Sequence, residues 1–227
     1  MKPRRLLINV LTALPVAAAI VAMCFAPEGV PMHYNTAGEA DRWGSRWSLL
    51  LYPLIALIMR LVMAGLSKLV SKDKNGESYV GYLSIATIGV MLTFDILALY
   101  SIYVAVVPGV AMDSAAVNER MCQAAVIATG ICLIPVGRDL RDIPYNKNVG
   151  IKTKWSLANE ESWRLSQRFG GNAFIAAGAA MAVLALFLPG LNSLWAALGV
   201  IIIMCVADVI YSRKAYLTSV RGGGGSD

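Results

Sequence analysis

Charged residues are scarce in this chain, and their scarcity decides its class. Only 15% of the 227 residues are charged, whereas 57% are hydrophobic, and a typical soluble domain has about 25% charged residues. The mean hydropathy is +0.61. A protein surface of this composition would be poorly soluble in water, so the sequence excludes an ordinary soluble protein and indicates an integral membrane protein.

The residues that mark common catalytic and cofactor sites are also few. The chain has one histidine, His33, and four cysteines, none of them in C-x-x-C spacing. It contains no phosphate-cradling glycine loop, no H-E-x-x-H zinc helix and no serine nucleophile elbow. We therefore expect no cofactor, and an enzyme is the less favoured class.

Six apolar stretches are long enough to cross the hydrocarbon layer, which takes about 20 residues per helix. A helix is required because the backbone finds no water partners in lipid. The predicted spans are about Leu6–Phe25, Ser48–Val70, Tyr79–Val107, Asn118–Val136, Ala173–Leu188 and Ser193–Tyr211. The predicted fold is an all-α integral membrane protein with six transmembrane helices.

The basic residues predict the orientation, because cytoplasmic loops carry an excess of Lys and Arg. Sixteen of the 20 Lys and Arg residues flank the spans on the side of the two termini, three lie on the opposite side, and Arg60 lies within a span. Both termini are then cytoplasmic. The net charge of +6 follows from this topology, so direct nucleic-acid binding is not expected, whereas the basic edges can attract membrane lipid.

The spans and loops divide the chain into five predicted segments. They are 1–70, a two-helix module with a His-containing outer loop; 71–137, helices 3 and 4; 138–171, a cytoplasmic loop with an amphipathic helix; 172–220, helices 5 and 6; and 221–227, a tail that resembles a linker.

The cytoplasmic loop is predicted to be ordered. Asn159 followed by Glu160 and Glu161 is a good helix start, because the Asn side chain caps and the acids meet the positive helix end. We expect an amphipathic helix at the membrane surface from this point, feeding helix 5. Trp155 and Trp163 suit the head-group level. The helix serves either as a membrane anchor or as a docking surface.

The outer loop, residues 27–45, has the residues of a structured loop. Two prolines stiffen it, Gly38 and Gly44 permit turns, and Asn and Asp side chains can bond to their own backbone. We expect His33 to bond to Asp41 or Asn35. A metal site of His33, Glu39 and Asp41 is conceivable, but one histidine with two acids is a weak signal.

Two charged residues lie within predicted spans, Arg60 in helix 2 and Asp95 in helix 3. A charge at the helix centre costs about 2.5 to 3.5 kcal/mol. Both lie mid-way along consecutive helices, so we expect them to pair. The pair is either an internal clamp or part of a polar path.

Each of the two loops has a distinctive motif. The outer loop has the spacing P-x-x-x-P-x-H-x-N-x-x-G-x-x-D-x-W-G-S from Pro27 to Ser45, and the inner loop has N-x-x-x-G-I-K-T-x-W from Asn146 to Trp155, followed by Trp163. Together the two motifs resemble the SdpI family of bacterial membrane proteins, named for the sporulation-delaying-protein immunity protein. With the six spans, the resemblance covers nearly the whole chain. Lys152 stands where the family usually has Arg. A lysine keeps the positive charge but lacks the planar guanidinium group, which can bind two oxygen atoms at once.

The resemblance implies an immunity protein of the bacterial plasma (inner) membrane that protects against a secreted peptide toxin, and a receptor that holds a cytoplasmic winged-helix repressor at the membrane. The residues expected to face the toxin are Pro31, His33, Asn35, Gly38, Asp41 and Trp43. Those expected to dock the repressor are Asn146, Gly150, Lys152, Thr153, Trp155 and Trp163. Arg60 and Asp95 would couple the two faces.

Two other classes stay open. An ion-coupled transporter is motivated by the charges of Arg60 and Asp95 within the membrane. A membrane enzyme acting on lipid or peptide is motivated by His33 with Asp41 at the outer interface. The sequence names neither a toxin nor a solute.

Overall fold

Six helices make up most of the described structure. The computed structural model describes residues 2–35, 39–72, 76–107 and 114–222. The helices are α1 (Lys2–Met23), α2 (Leu51–Val70), α3 (Gly76–Val106), α4 (Ser114–Leu140), α5 (Glu160–Phe187) and α6 (Leu191–Gly222). Among the described residues, six helices are long and apolar enough to cross a membrane. The predicted set of six membrane-spanning helices is confirmed.

Successive helices run in opposite directions. Gly89 and Thr93 of α3 lie against Cys132 and Thr129 of α4, so these two helices are antiparallel. Arg4 contacts Gly81 and Thr12 contacts Met91, so α1 and α3 run parallel. The bundle therefore has two ends. We call the one that joins α1 to α2 the hairpin end, and the one that holds residues 141–159 the loop end.

The connection from α1 to α2 is a β-hairpin, which the all-α prediction did not include. Strands β1 (Gly29–Tyr34) and β2 (Ala40–Ser45) pair antiparallel, with Pro31 opposite Trp43. A 3-10 helix, Arg46–Leu50, then leads into α2. The register shifts on both sides of His33, and such irregularities bend and twist a strand. The two short strands were not predicted from the sequence, because proline is uncommon inside a strand and Pro31 lies within β1.

The predicted amphipathic loop helix is not a separate element. Asn159 caps a helix as predicted, since its side chain accepts a hydrogen bond from the backbone N–H of Ser162 at 2.8 Å. That helix, however, runs on without a break to Phe187. Gly170 and Gly171 lie within α5 and do not interrupt it. Both are in tight contact with neighbouring parts of the chain, where a larger residue would not fit.

Helices α4 and α5 pack at close range through glycine. A Cβ added at Gly130 would lie 2.5 Å from the carbonyl oxygen of Gly178, and one at Gly137 would lie 2.6 Å from the carbonyl oxygen of Gly171. Small residues at such contacts let helix backbones approach each other, which favours association where no hydrophobic driving force acts between helices. This interface fixes α5, and with it the loop end of the bundle.

Candidate functional sites at the two ends of the bundle

The hairpin is anchored in the helical bundle by its first strand. Val30 is buried in a cluster with residues of α1, of the 3-10 helix and of α3, among them Ala22, Leu49 and Ala105. The backbone N–H of Arg46 also donates to the carbonyl oxygen of Glu28 at 3.0 Å. The base of the hairpin is therefore fixed, as expected for a structured loop.

Side chains near the tip hold the two strands together. His33 Nδ1 lies 2.6 Å from Asp41 Oδ1, which confirms the predicted contact of His33 with Asp41. The amide nitrogen of the Asn35 side chain donates to Glu39 Oε2 at 3.0 Å, while its oxygen accepts from the backbone N–H of Glu39 at 3.0 Å. Gly38 lies outside the described residues.

The geometry does not favour the weak metal alternative at the hairpin. Glu39 is occupied by Asn35, whereas Asp41 faces His33. Within residues 2–35, 39–72, 76–107 and 114–222, no group of three or more His, Cys, Asp and Glu side chains could hold a metal ion. The acids serve as acceptors that brace the hairpin.

Large aromatic side chains are exposed beside this brace. Trp43 on β2 is 56% exposed and Trp47 in the 3-10 helix is 67% exposed, and Phe25 just after α1 is exposed as well. Tryptophan is enriched at membrane–water interfaces, where one part of the ring is apolar and the other wet. The hairpin end therefore presents an aromatic surface on a rigid support.

The predicted pair of Arg60 and Asp95 is wrong. The Arg60 guanidinium instead donates to Thr12 Oγ1 at 2.8 Å and to Asn9 Oδ1 at 2.7 Å, both on α1. Both carboxylate oxygens of Asp95 are buried without a hydrogen-bond partner among the described residues.

Helix length explains the error. Arg60 lies ten residues before the end of α2, whereas Asp95 lies 19 residues after the start of α3. At 1.5 Å per residue, these positions are about 15 Å and about 28 Å from the loop end. The two charges thus lie at different depths. Being mid-way along two predicted spans did not place them side by side, because α3 is much longer than α2.

At the loop end, Asn146 builds the first turn of the predicted inner motif. Its side-chain oxygen accepts from the backbone N–H groups of Asn148 and Val149, at 2.8 Å and 2.7 Å, while its amide nitrogen donates to the carbonyl oxygen of Pro144 at 2.9 Å. Asn146 is buried. Its described contacts are those of a turn-forming residue.

Gly150 follows with φ of +118°, a conformation that favours glycine. A Cβ there would lie 2.7 Å from Gln167 Oε1 and 2.9 Å from the Trp163 ring. The buried Gln167 amide then pairs with the backbone of Ile151, accepting from its N–H and donating to its carbonyl, both at 2.9 Å. The motif is thereby fixed onto α5.

Thr153 continues the motif toward α6. Its hydroxyl oxygen accepts from the backbone N–H of Ser156 at 3.0 Å and hydrogen-bonds to Ser212 of α6. Ser156 is fully buried, and its hydroxyl donates to the carbonyl oxygen of Ile151 at 2.8 Å. Residues 150–156 thus dock on both α5 and α6.

Trp163, which was predicted to lie at the head-group level, is buried inside the protein. It is 1% exposed, and its indole N–H donates to the carbonyl oxygen of Ile143. Among the six residues predicted to dock a partner, only Lys152 is exposed. Trp155 is half-buried, and the ammonium of the exposed Lys154 lies 4.9 Å from its ring centre. Lys152, Lys154 and part of Trp155 are therefore the side chains of residues 152–155 that reach the surface at this end.

Sequence reasoning missed Gln167 and Ser212, which hold the inner motif in place. Gln167 sits one helical turn after Trp163, on the same buried face of α5, and this spacing is the signal that could have revealed it. Ser212 has no such local signal, since its partner Thr153 is 59 residues away in sequence.

Comparisons with known proteins match both motif-bearing regions. The model of the SdpI/YfhL protein family matches residues 142–212, and that of a domain of unknown function, DUF1648, matches residues 10–57. The chain is similar to Immunity protein SdpI of Bacillus subtilis (strain 168), with 22% identity over 207 residues that cover 91% of each chain. No solved structure matches significantly. The predicted resemblance to the SdpI family is confirmed, and the chain is a multi-pass membrane protein.

Proposed function

We propose that this relative of Immunity protein SdpI protects the cell that makes it against a secreted peptide toxin, from a position in the bacterial plasma membrane. The observation that carries the proposal is the similarity to that immunity protein over 91% of both chains, because it includes both ends of the bundle. In this proposal the toxin contacts the protein before it damages the bilayer.

We propose that the toxin contacts the protein at the hairpin end. The split of Lys and Arg residues, sixteen against three, supports an arrangement with both termini inside and the hairpin outside. Trp43 and Trp47 are then exposed at the outer head groups on a hairpin braced by His33 and Asp41. An amphipathic peptide must pass this level, and rigid aromatic side chains offer large contact area at little entropic cost.

The loop end gives a second, finer part of the proposal, a docking surface for a cytoplasmic repressor. Lys152, Lys154 and Trp155 form its accessible part, since Asn146 and Trp163 are buried. The motif residues beneath them hold the surface on α5 and α6. A pull-down of a winged-helix repressor from cells tests this part, with Lys152→Ala and Trp155→Ala expected to reduce capture.

The transporter alternative was motivated by the charges of Arg60 and Asp95 within the membrane. The two side chains do not pair, so the structure adds no support for a polar path that joins them.

The immunity proposal is tested by deleting the gene in the cells that carry it. The deletion strain should lose viability in medium conditioned by toxin-secreting strains, and a plasmid copy should restore it. Equal survival of deletion and parent strains in all such media would refute the proposal.

A further inference from the structure

A cavity of about 630 Å³ lies between α1, α2 and α3 toward the loop end. Its lining is mixed, with apolar walls and several hydroxyl groups, among them Ser67, Ser71 and Ser84. Pockets of about 300 to 1,000 Å³ are the usual size for small ligands. The cavity is separate from the hairpin and from the motif at residues 146–163.

The described lining has more positive than negative charge. Arg5, Arg60 and Lys68 are its cations, and Glu77 is its one acid. Arg5, Lys68 and Glu77 lie near the ends of their helices and therefore close to the cavity mouth, whereas Arg60 lies ten residues before the end of α2. The cavity thus has a cationic rim, opposed in part by Glu77, and a cation at depth.

Arg60 is held by neutral groups only. Its described acceptors are Thr12 Oγ1, Asn9 Oδ1 and, at 3.5 Å, the carbonyl oxygen of Ile8. They take up three of the five N–H donors of a guanidinium. Within the part of the chain that the structure describes, no carboxylate lies within 4.0 Å of it. A cation at this depth is costly unless it is paired, and here the open space beside it is the cavity.

We propose that this cavity binds a phosphate group with net negative charge, with Arg60 as its deep anchor and Arg5 and Lys68 at its rim. The guanidinium fork matches phosphate oxygens in a two-point contact, and Ser67 adds a hydroxyl to the cavity wall. The hydroxyls of Ser71 and Ser84 instead donate to the backbone carbonyl oxygens of Lys68 and Val80. The phosphate belongs either to the headgroup of an acidic phospholipid or to a free anion. The assignment does not depend on the immunity function.

Native mass spectrometry of the purified full chain tests the site. The protein is titrated with phosphatidylglycerol, with zwitterionic phosphatidylcholine and with inorganic phosphate. The variants are Arg60→Gln and Lys68→Gln, and the matched control is Arg138→Gln, an exposed arginine near the loop end of α4 that does not line the cavity. The control removes the same charge and so corrects for general attraction of anions. A melting curve for each variant shows that it is folded.

The proposal expects Arg60→Gln to weaken binding of the anionic ligand by about tenfold or more, which corresponds to the loss of one charged contact. Lys68→Gln, on an exposed position, should weaken it less but measurably more than Arg138→Gln. Phosphatidylglycerol binding that inorganic phosphate does not displace identifies the lipid headgroup, and displacement by phosphate identifies a free anion. The proposal is overturned if neither ligand binds more tightly than phosphatidylcholine. It is also overturned if Lys68→Gln, and Arg60→Gln where it folds, change binding no more than the control.

Discussion

The indole N–H of Trp163 donates a hydrogen bond to the carbonyl oxygen of Ile143 across 2.9 Å. Trp163 lies in the first turns of α5 and Ile143 follows α4, so the bond ties the segment between the two helices to the start of α5. Tyr145 packs edge-on against the same ring, with the ring centres 5.7 Å apart. This buried indole therefore holds the inner motif in its position on the bundle.

Trp163→Phe should destabilise the protein by about 1 to 3 kcal/mol, because the carbonyl of Ile143 loses its donor in a buried place. The matched control is Trp195→Phe on α6, since Trp195 is 68% exposed. Thermal unfolding of both variants in detergent gives the comparison. Equal melting temperatures for the two variants would contradict a structural role for the Trp163 bond.

Gly130→Ala should lower stability by about 1 to 3 kcal/mol through overpacking against α5, although alanine is the better helix former by about 1 kcal/mol. The new Cβ would meet the carbonyl oxygen of Gly178. Gly199→Ala in α6 is the control, because nothing lies within 4 Å of a Cβ there, and it should not lower the melting temperature. If Gly130→Ala melts at or above the temperature of Gly199→Ala, the helices are not in this close contact.

Single cysteines should reveal the proposed orientation. In a background without the four native cysteines, Arg42→Cys on the hairpin should react with an impermeant thiol reagent in intact cells. Lys154→Cys at the loop end should react only after the membrane is opened. Both positions are exposed, so access to the reagent reports sidedness. Labelling of both from one side, or the reverse pattern, contradicts the orientation.

The sequence predicts a helix well where the signal is local, as in a long apolar run or in the residues that cap a helix. The start of α5 is an example, because Asn159, Glu160 and Glu161 are the cap and first-turn residues that the structure shows in use. The contact of His33 with Asp41 could also be expected, since the two residues are eight apart in a loop rich in turn formers.

The sequence could not predict relations that depend on relative depth or on distant contacts. Arg60 and Asp95 were expected to be level because each is mid-way along its apolar run, but depth is counted from the helix ends, and α3 has 31 residues whereas α2 has 20. The burial of Trp163 could not be predicted either, since tryptophan is also common on the surface at membrane–water interfaces. Its carbonyl partner at Ile143, 20 residues away, becomes apparent only when the chain is folded.

His33→Ala should change overall stability by less than about 1 kcal/mol, since the contact with Asp41 lies between two exposed side chains. Its effect on the cell is expected to be larger than its effect on folding, because the pair orients the hairpin tip. Thermal unfolding and survival in toxin-containing medium, measured on the same variant, separate the two effects. Asp41→Asn, which keeps an acceptor oxygen, should be milder than His33→Ala. A His33→Ala protein that melts normally and protects fully would mean that the pair has no part in protection.

The claim that protection acts through the hairpin end is tested most directly by its two exposed tryptophans, Trp43 on β2 and Trp47 in the 3-10 helix. The double variant Trp43→Ala and Trp47→Ala is compared with Trp195→Ala, an equally exposed tryptophan on α6, in the deletion strain exposed to toxin, with membrane levels measured for each. We expect the hairpin variant to reach the membrane at normal levels and to lose protection, while Trp195→Ala protects like the native chain. Full protection by the hairpin variant at normal levels would contradict the account.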